Sequence, residues 1–146
     1  MMRRILFQML SISALLPFYS CNGGAKAKDD EASLVEKVFV VNLVGNEQKL
    51  KEYLHYHERV WPEVEAGFRK AGYRKITLYR YGYLLIMTVV VPARADLQQM
   101  GKIAEGYDKR CAEWNRIMRG YQTGAPGMAA GGGWGEALPF YRFTAR

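Results

Sequence analysis

Wound as a helix at about 100° per residue, the stretch from Leu50 to Phe68 puts Leu50, Tyr53, Leu54, His57, Val60, Trp61, Val64 and Phe68 on one face. That apolar stripe demands a core to bury it. His57 sits at its centre, with Tyr53 one turn before and Trp61 one turn after. An imidazole framed by aromatics on a core-facing stripe is either a hydrogen-bonded core residue or a site. His55 falls on the opposite face, so of the two histidines only His57 can serve a buried pocket.

The flanking segments set what the stripe packs against. Val38 to Val44 is a β-branched apolar run ended by Gly45-Asn46, a strand. The helix is expected from Glu47 to Ala71, with Gly72 as its C-terminal cap. Pro62 interrupts it, which predicts a kink or a second helix with Pro62 at its first position. Ile76–Tyr81 and Tyr83–Val91 read as a hairpin turning at Gly82, and Pro92 stops the second strand. A helix is predicted over Ala95–Arg119, carrying Leu97, Met100, Ala104, Tyr107, Cys111, Trp114 and Met118 at 3–4 spacing. Asn115 is the polar exception in that stripe. Gly120–Gly135 reads as a loop. Its triple glycine lacks the lysine-serine pair and strand-to-helix context of a phosphate cradle. Leu138–Phe143 is expected as a closing strand, with Pro139 tolerable at an edge.

The order is β-α-β-β-α-β, an α+β ferredoxin-like sandwich. Two helices cover one face of such a sheet. With strands this apolar, a homodimer pairing the open faces is the expected solution.

Ahead of this domain the chain has a different character. Met1–Arg4 is a short cationic start and Ile5–Phe18 an apolar run too short to span a membrane, so residues 1–20 read as an export signal. Leu16-Pro17-Phe18-Tyr19-Ser20-Cys21 resembles a bacterial lipobox, which makes Cys21 the expected lipidation site and the cell envelope, periplasmic or outer surface, the expected location. Residues 21–35 read as a flexible tether and 36–146 as the folded domain. With Cys21 acylated, Cys111 has no disulfide partner. The formal charge of +7 falls by two when Arg3 and Arg4 are set aside. No basic block is interleaved with aromatics, so no nucleic-acid partner is expected.

The pattern Tyr53-x-x-x-His57-x-x-x-Trp61-Pro62-Glu63, after a Lys37-Val38-Phe39-Val40 strand, resembles the L-rhamnose mutarotase family. The likeness continues through Gly72, the hairpin, Cys111-x-x-Trp114-x-x-x-Met118 and Phe140-Tyr141, about residues 36–143. It implies a dimeric α/β barrel with a cofactor-free monosaccharide pocket between helices and sheet. The reaction is anomer interconversion of L-rhamnose or a related 6-deoxy hexose. The family's catalytic histidine falls on His57 and a sugar-contacting tyrosine on Tyr53. A Trp-Trp pair lining its pocket falls on Trp114 and Asn115, and a further pocket tyrosine on Ile76. Those two departures leave L-rhamnose, L-fucose and similar sugars open.

The chemistry agrees with the residue types. Anomer exchange removes a proton from the anomeric hydroxyl and delivers one to the ring oxygen. Histidine, titrating near 6.5, serves both needs. Tyr53 can donate a hydrogen bond, and Trp61 or Trp114 can stack on the apolar face of a deoxysugar. One inward histidine without a neighbouring cysteine or carboxylate offers no metal set, and no cofactor is expected. Two alternatives stay open: a dimeric α/β-barrel monooxygenase of the haem-degrading type, which also gathers His, Trp and Asn, and a non-catalytic lipid-anchored sugar-binding protein.

Overall fold

β1 (Leu34–Leu43) carries the architecture, because every other strand but one pairs with it. The computed structural model describes residues 33–129, 131 and 133–145. The apolar leader, Cys21 and the tether before Ser33 lie outside the described residues. Leu34 and Val35 belong to β1 rather than to a tether, since they pair with Pro92 and Val91 of β3 and Ala93 N donates to Ser33 O at 2.8 Å.

Two helices follow β1 rather than one kinked helix. α1 (Glu47–Glu58) is capped by Asn46, whose side chain accepts from Lys49 N at 2.9 Å. α2 (Pro62–Ala71) begins with Pro62 at its first position, where the missing N–H costs nothing. Trp61 is its N-cap, and Trp61 O accepts from Val64 N and Glu65 N. Gly72 closes α2 with φ of 95°, the left-handed conformation a C-terminal cap requires. β2 (Lys75–Tyr81) and β3 (Leu84–Pro92) then form the expected hairpin.

The second predicted helix is also divided, into α3 (Leu97–Glu105) and α4 (Lys109–Arg119). Gly106 ends α3, and Asp108 starts α4 by accepting from Arg110 N at 2.8 Å. The chain closes differently from expectation. β4 (Gln122–Gly124) lies inside the presumed loop, and β5 is Gly135–Ala137 rather than Leu138–Phe143. Pairing to β1 stops at Val38 opposite Ala137, and Pro139 just beyond lacks the N–H that would extend the ladder. Leu138, Phe140, Tyr141 and Phe143 are exposed.

All pairings are antiparallel, and the sheet order is β2-β3-β1-β4, with β5 also on β1. This is the α+β, ferredoxin-like arrangement, its last strand split into β4 and β5. Odd-numbered residues of β1 and β3 face the helices: Val41, Leu43, Leu85, Val89 and Val91 are each buried. Removing a side chain of this kind from water contributes about 1.5–3 kcal/mol. The core has two centres. One gathers Val41, Leu43, Leu50, Tyr53, Val64, Leu85, Cys111, Trp114 and Met118. The other gathers Ala71, Val89, Val91, Met100 and Ala104. Among the described residues no helix is long and apolar enough to cross a membrane.

Candidate active site

His57 lies in the last turn of α1, half-buried against the first core centre. Its ring is 4.4 Å from that of Tyr53 and 5.4 Å, edge-on, from that of Trp114. Tyr53 and Trp114 are buried, at 3% and 5% exposure, so the imidazole has rigid walls. Nδ1 of His57 stands 2.9 Å from Tyr53 O, one turn back on the same helix. A carbonyl oxygen only accepts, so Nδ1 carries the proton and Nε2 is left with a lone pair. The backbone selects the tautomer.

Burial lowers the His57 pKa from its usual 6.5, outweighing the opposing effect of the Tyr53 carbonyl. The ring is therefore neutral at pH 7 and able to accept a proton. Burial pushes the Tyr53 hydroxyl well above the usual tyrosine range, so it stays protonated as a donor. Spacing on one helix brought this pair together. α4 then laid Trp114 across it.

Trp61 reaches the same group from the start of α2, its ring 5.3 Å from Trp114. Arg110 holds it from behind, with the guanidinium 4.4 Å above the indole and Nη1 donating to Glu63 Oε1 at 3.1 Å. The other carboxylate oxygen, Glu63 Oε2, is enclosed without a hydrogen-bond partner. Asn115 is half-buried beside Trp114 on α4. Ile76 is not brought to this group: it pairs with Val89 and packs in the second core centre, at the other end of the sheet. Tyr53, His57, Trp61 and Trp114 thus form one constellation, and Ile76 stands outside it.

Three aromatic residues passed over in the sequence pack on the first core centre. Tyr56 meets Trp114 edge-on at 5.9 Å and Tyr121 at 6.2 Å. Tyr121 also meets Tyr53 at 5.9 Å, and its hydroxyl donates to Glu52 Oε2 at 3.3 Å. Trp134 packs on the same centre from the glycine-rich segment. Tyr56 was readable as the i+3 neighbour of Tyr53. The other two follow the helix-to-strand turn and the loop, where no periodicity marks them. An open cleft of about 500 Å³, lined by His55, Tyr56, Glu58, Arg59 and Trp61, flanks the constellation without reaching His57. Among the described residues no three His, Cys, Asp or Glu side chains converge as metal ligands.

The helices of this ferredoxin-like sheet hold one histidine, its Nδ1 committed to a backbone carbonyl, among the rings of Tyr53 and Trp114. Comparisons with known proteins make the class specific. The L-rhamnose mutarotase family model matches residues 25–142. An L-fucose mutarotase of Xanthomonas campestris pv. campestris is 31% identical over 108 residues, 72% of this chain and 85% of that protein. A UPF0734 protein of Dictyostelium discoideum is 31% identical over 85 residues, 56% of this chain and 66% of its own length. The L-rhamnose mutarotase of Formosa agariphila superposes with a TM-score of 0.50 over 77% of this chain and 99% of that one. At 15% identity that likeness speaks for the fold alone. The chain belongs to the L-rhamnose mutarotase family, and so to the carbohydrate isomerases. That membership sets the monooxygenase alternative aside.

Proposed function

We propose that this protein exchanges the anomers of a 6-deoxy hexose, L-rhamnose or L-fucose first among them, with His57 as the acid and base. The observation that carries the reading is the Nδ1–Tyr53 O contact, which leaves Nε2 basic inside an aromatic cup. Nε2 takes the proton of the anomeric hydroxyl, and the imidazolium so formed delivers it to the ring oxygen. The bond from the anomeric carbon to the ring oxygen breaks, and the aldehyde rotates before the ring closes by the reverse transfers. Tyr53, whose ring is 4.4 Å from that of His57, stays protonated and can donate a hydrogen bond. Saturation-transfer NMR across a panel of pyranoses tests the reading. Acceleration is expected with a 6-deoxy hexose. None with any sugar would leave a binding protein instead.

The lowered His57 pKa sets a pH dependence. Catalysed exchange, corrected for the spontaneous rate, should be level above pH 6.5 and fall through one ionisation below it. Stability should move the same way. A histidine whose folded pKa is depressed disfavours protonation in the native state. Its contribution is full above the unfolded value of about 6.5 and is lost as pH falls toward the lower folded value. Thermal melts over the same pH series check this second half. An activity profile that shows no ionisation below pH 6.5 while the protein stays folded would remove His57 as the base.

A homodimer belongs to the same proposal. The sheet face away from the helices carries Val38, Val40, Ile86 and Val90, with Tyr79 and Tyr81 exposed at its edge. Phe140, Tyr141 and Phe143 extend the exposed apolar surface. A second copy is the economical cover for such a surface. Sedimentation of the Glu31–Arg146 unit should give twice the monomer mass. A monomer at micromolar concentration would overturn the pairing.

A further inference from the structure

The glycine-rich segment after α4 is a built excursion from one strand edge. β4 leaves β1 at Asn42 opposite Gly124, and β5 rejoins it at Val40 opposite Gly135. Between these anchors the backbone is tied across itself. Gly131 N donates to Thr123 O, Ala125 N to Gly133 O, each at 3.1 Å, and Met128 N to Ala125 O at 3.0 Å. A Cβ on Gly135 would stand 2.8 Å from Ala125 Cβ, closer than carbon atoms approach, so only glycine lets the two arms close.

This closure aims one side chain. Gly135 pairs with Val40 on the sheet face away from the helices. One residue earlier, the alternation of a strand puts Trp134 opposite Val41, on the helix side. Val41 belongs to the same core centre as Tyr53 and Trp114, and Trp134 packs against that centre while remaining half-exposed. All three tryptophans of the chain thus belong to or pack on the first core centre, which also holds Tyr53: one from the head of α2, one from α4 and one from the loop. A core tryptophan needs no such presentation. A half-exposed tryptophan next to a glycine turn tied by backbone hydrogen bonds is suited to lie against a ligand.

We infer that Trp134 is a specificity-determining residue, the loop-borne wall against which the apolar face and methyl group of a 6-deoxy hexose lie. The inference rests on the proposed mutarotase reading for its substrate class. An indole rejects a hydroxymethyl group where it welcomes a methyl, because the added hydroxyl loses water without gaining a partner. Trp134 takes no part in proton transfer, so it acts on binding.

Two measurements test this. In the full-length protein carrying 5-fluorotryptophan, adding L-rhamnose or L-fucose should move the ¹⁹F resonance assigned to Trp134 in a saturable way. In anomer exchange, Trp134→Ala should raise KM by about tenfold with kcat within about twofold. It should also bring kcat/KM for L-rhamnose against L-mannose, or L-fucose against L-galactose, toward parity. Trp134→Phe, which keeps an aromatic face, should restore most of the discrimination. An unmoved Trp134 resonance, or Trp134→Ala with unchanged KM and selectivity, beside normal exchange by the unaltered protein would overturn the inference alone. Sugar-induced movement without any exchange would uphold the contact and overturn the mutarotase reading. Neither movement nor exchange would overturn both.

Discussion

His57→Ala is expected to lower catalysed anomer exchange by about 10²–10⁴-fold, the usual worth of a positioned proton-transfer group. The fold should survive. The hydrogen bond of His57 runs to Tyr53 O on its own helix, so removing the ring unties no other element. His55→Ala is the matched control, since that ring is exposed and pairs only with Glu58 at 3.1 Å. Its rate should stay within about twofold of the unaltered protein, as surface changes away from special features are near neutral. Saturation-transfer NMR reads both variants, and circular dichroism reports whether each is folded. A folded His57→Ala protein with full activity would make the histidine structural.

Trp114→Ala should produce the largest loss of stability, about 3–5 kcal/mol. On the order of 10–20 °C should be lost from Tm in a domain of this size. Trp114 is buried and stands edge-on to His57, Tyr56 and Trp61, so its removal opens a cavity under the whole aromatic cup. Trp61 would lose its neighbour but keep Arg110 and Glu63 behind it. Trp114→Phe should cost far less, because it retains an apolar ring in the same place. Scanning calorimetry of the two variants separates the effects. Equal and small losses would mean that the surrounding rings collapse into the space Trp114 leaves.

Arg110 shows how a surface charge enters a site without touching its chemistry. It clasps Trp61 from one side and Glu63 from the other, so a cation on α4 orients an indole at the head of α2. Arginine suits this post because its flat guanidinium can lie on an aromatic face while still donating to a carboxylate.

The constellation Tyr53–His57–Trp61 was legible in the sequence because all three obey the repeat of one helix, and Pro62 left that repeat nearly unbroken by starting a new helix in the same direction of burial. The strands of the hairpin and the ferredoxin-like order were legible for the same reason: local periodicity says which side must be buried. The division of the second helix had its signal too, in Gly106 and the capping Asp108, which the clean 3–4 stripe obscured.

Tertiary structure alone decided the rest. Ile76 shares a sheet face with Val89 yet belongs to the second core centre, because distance along the sheet depends on the β2–β3 register rather than on strand pattern. Tyr121 and Trp134 join the first centre because β4 and β5 are pinned to the edge of β1, and no spacing within the loop encodes that edge. The closing strand stops at Ala137 because a ladder needs an N–H that Pro139 cannot supply. A periodic stripe reports only its own element's demand for burial. Which loop side chain meets it is decided by long-range pairing, and that placed a third tryptophan on the core centre that holds Tyr53 and Trp114.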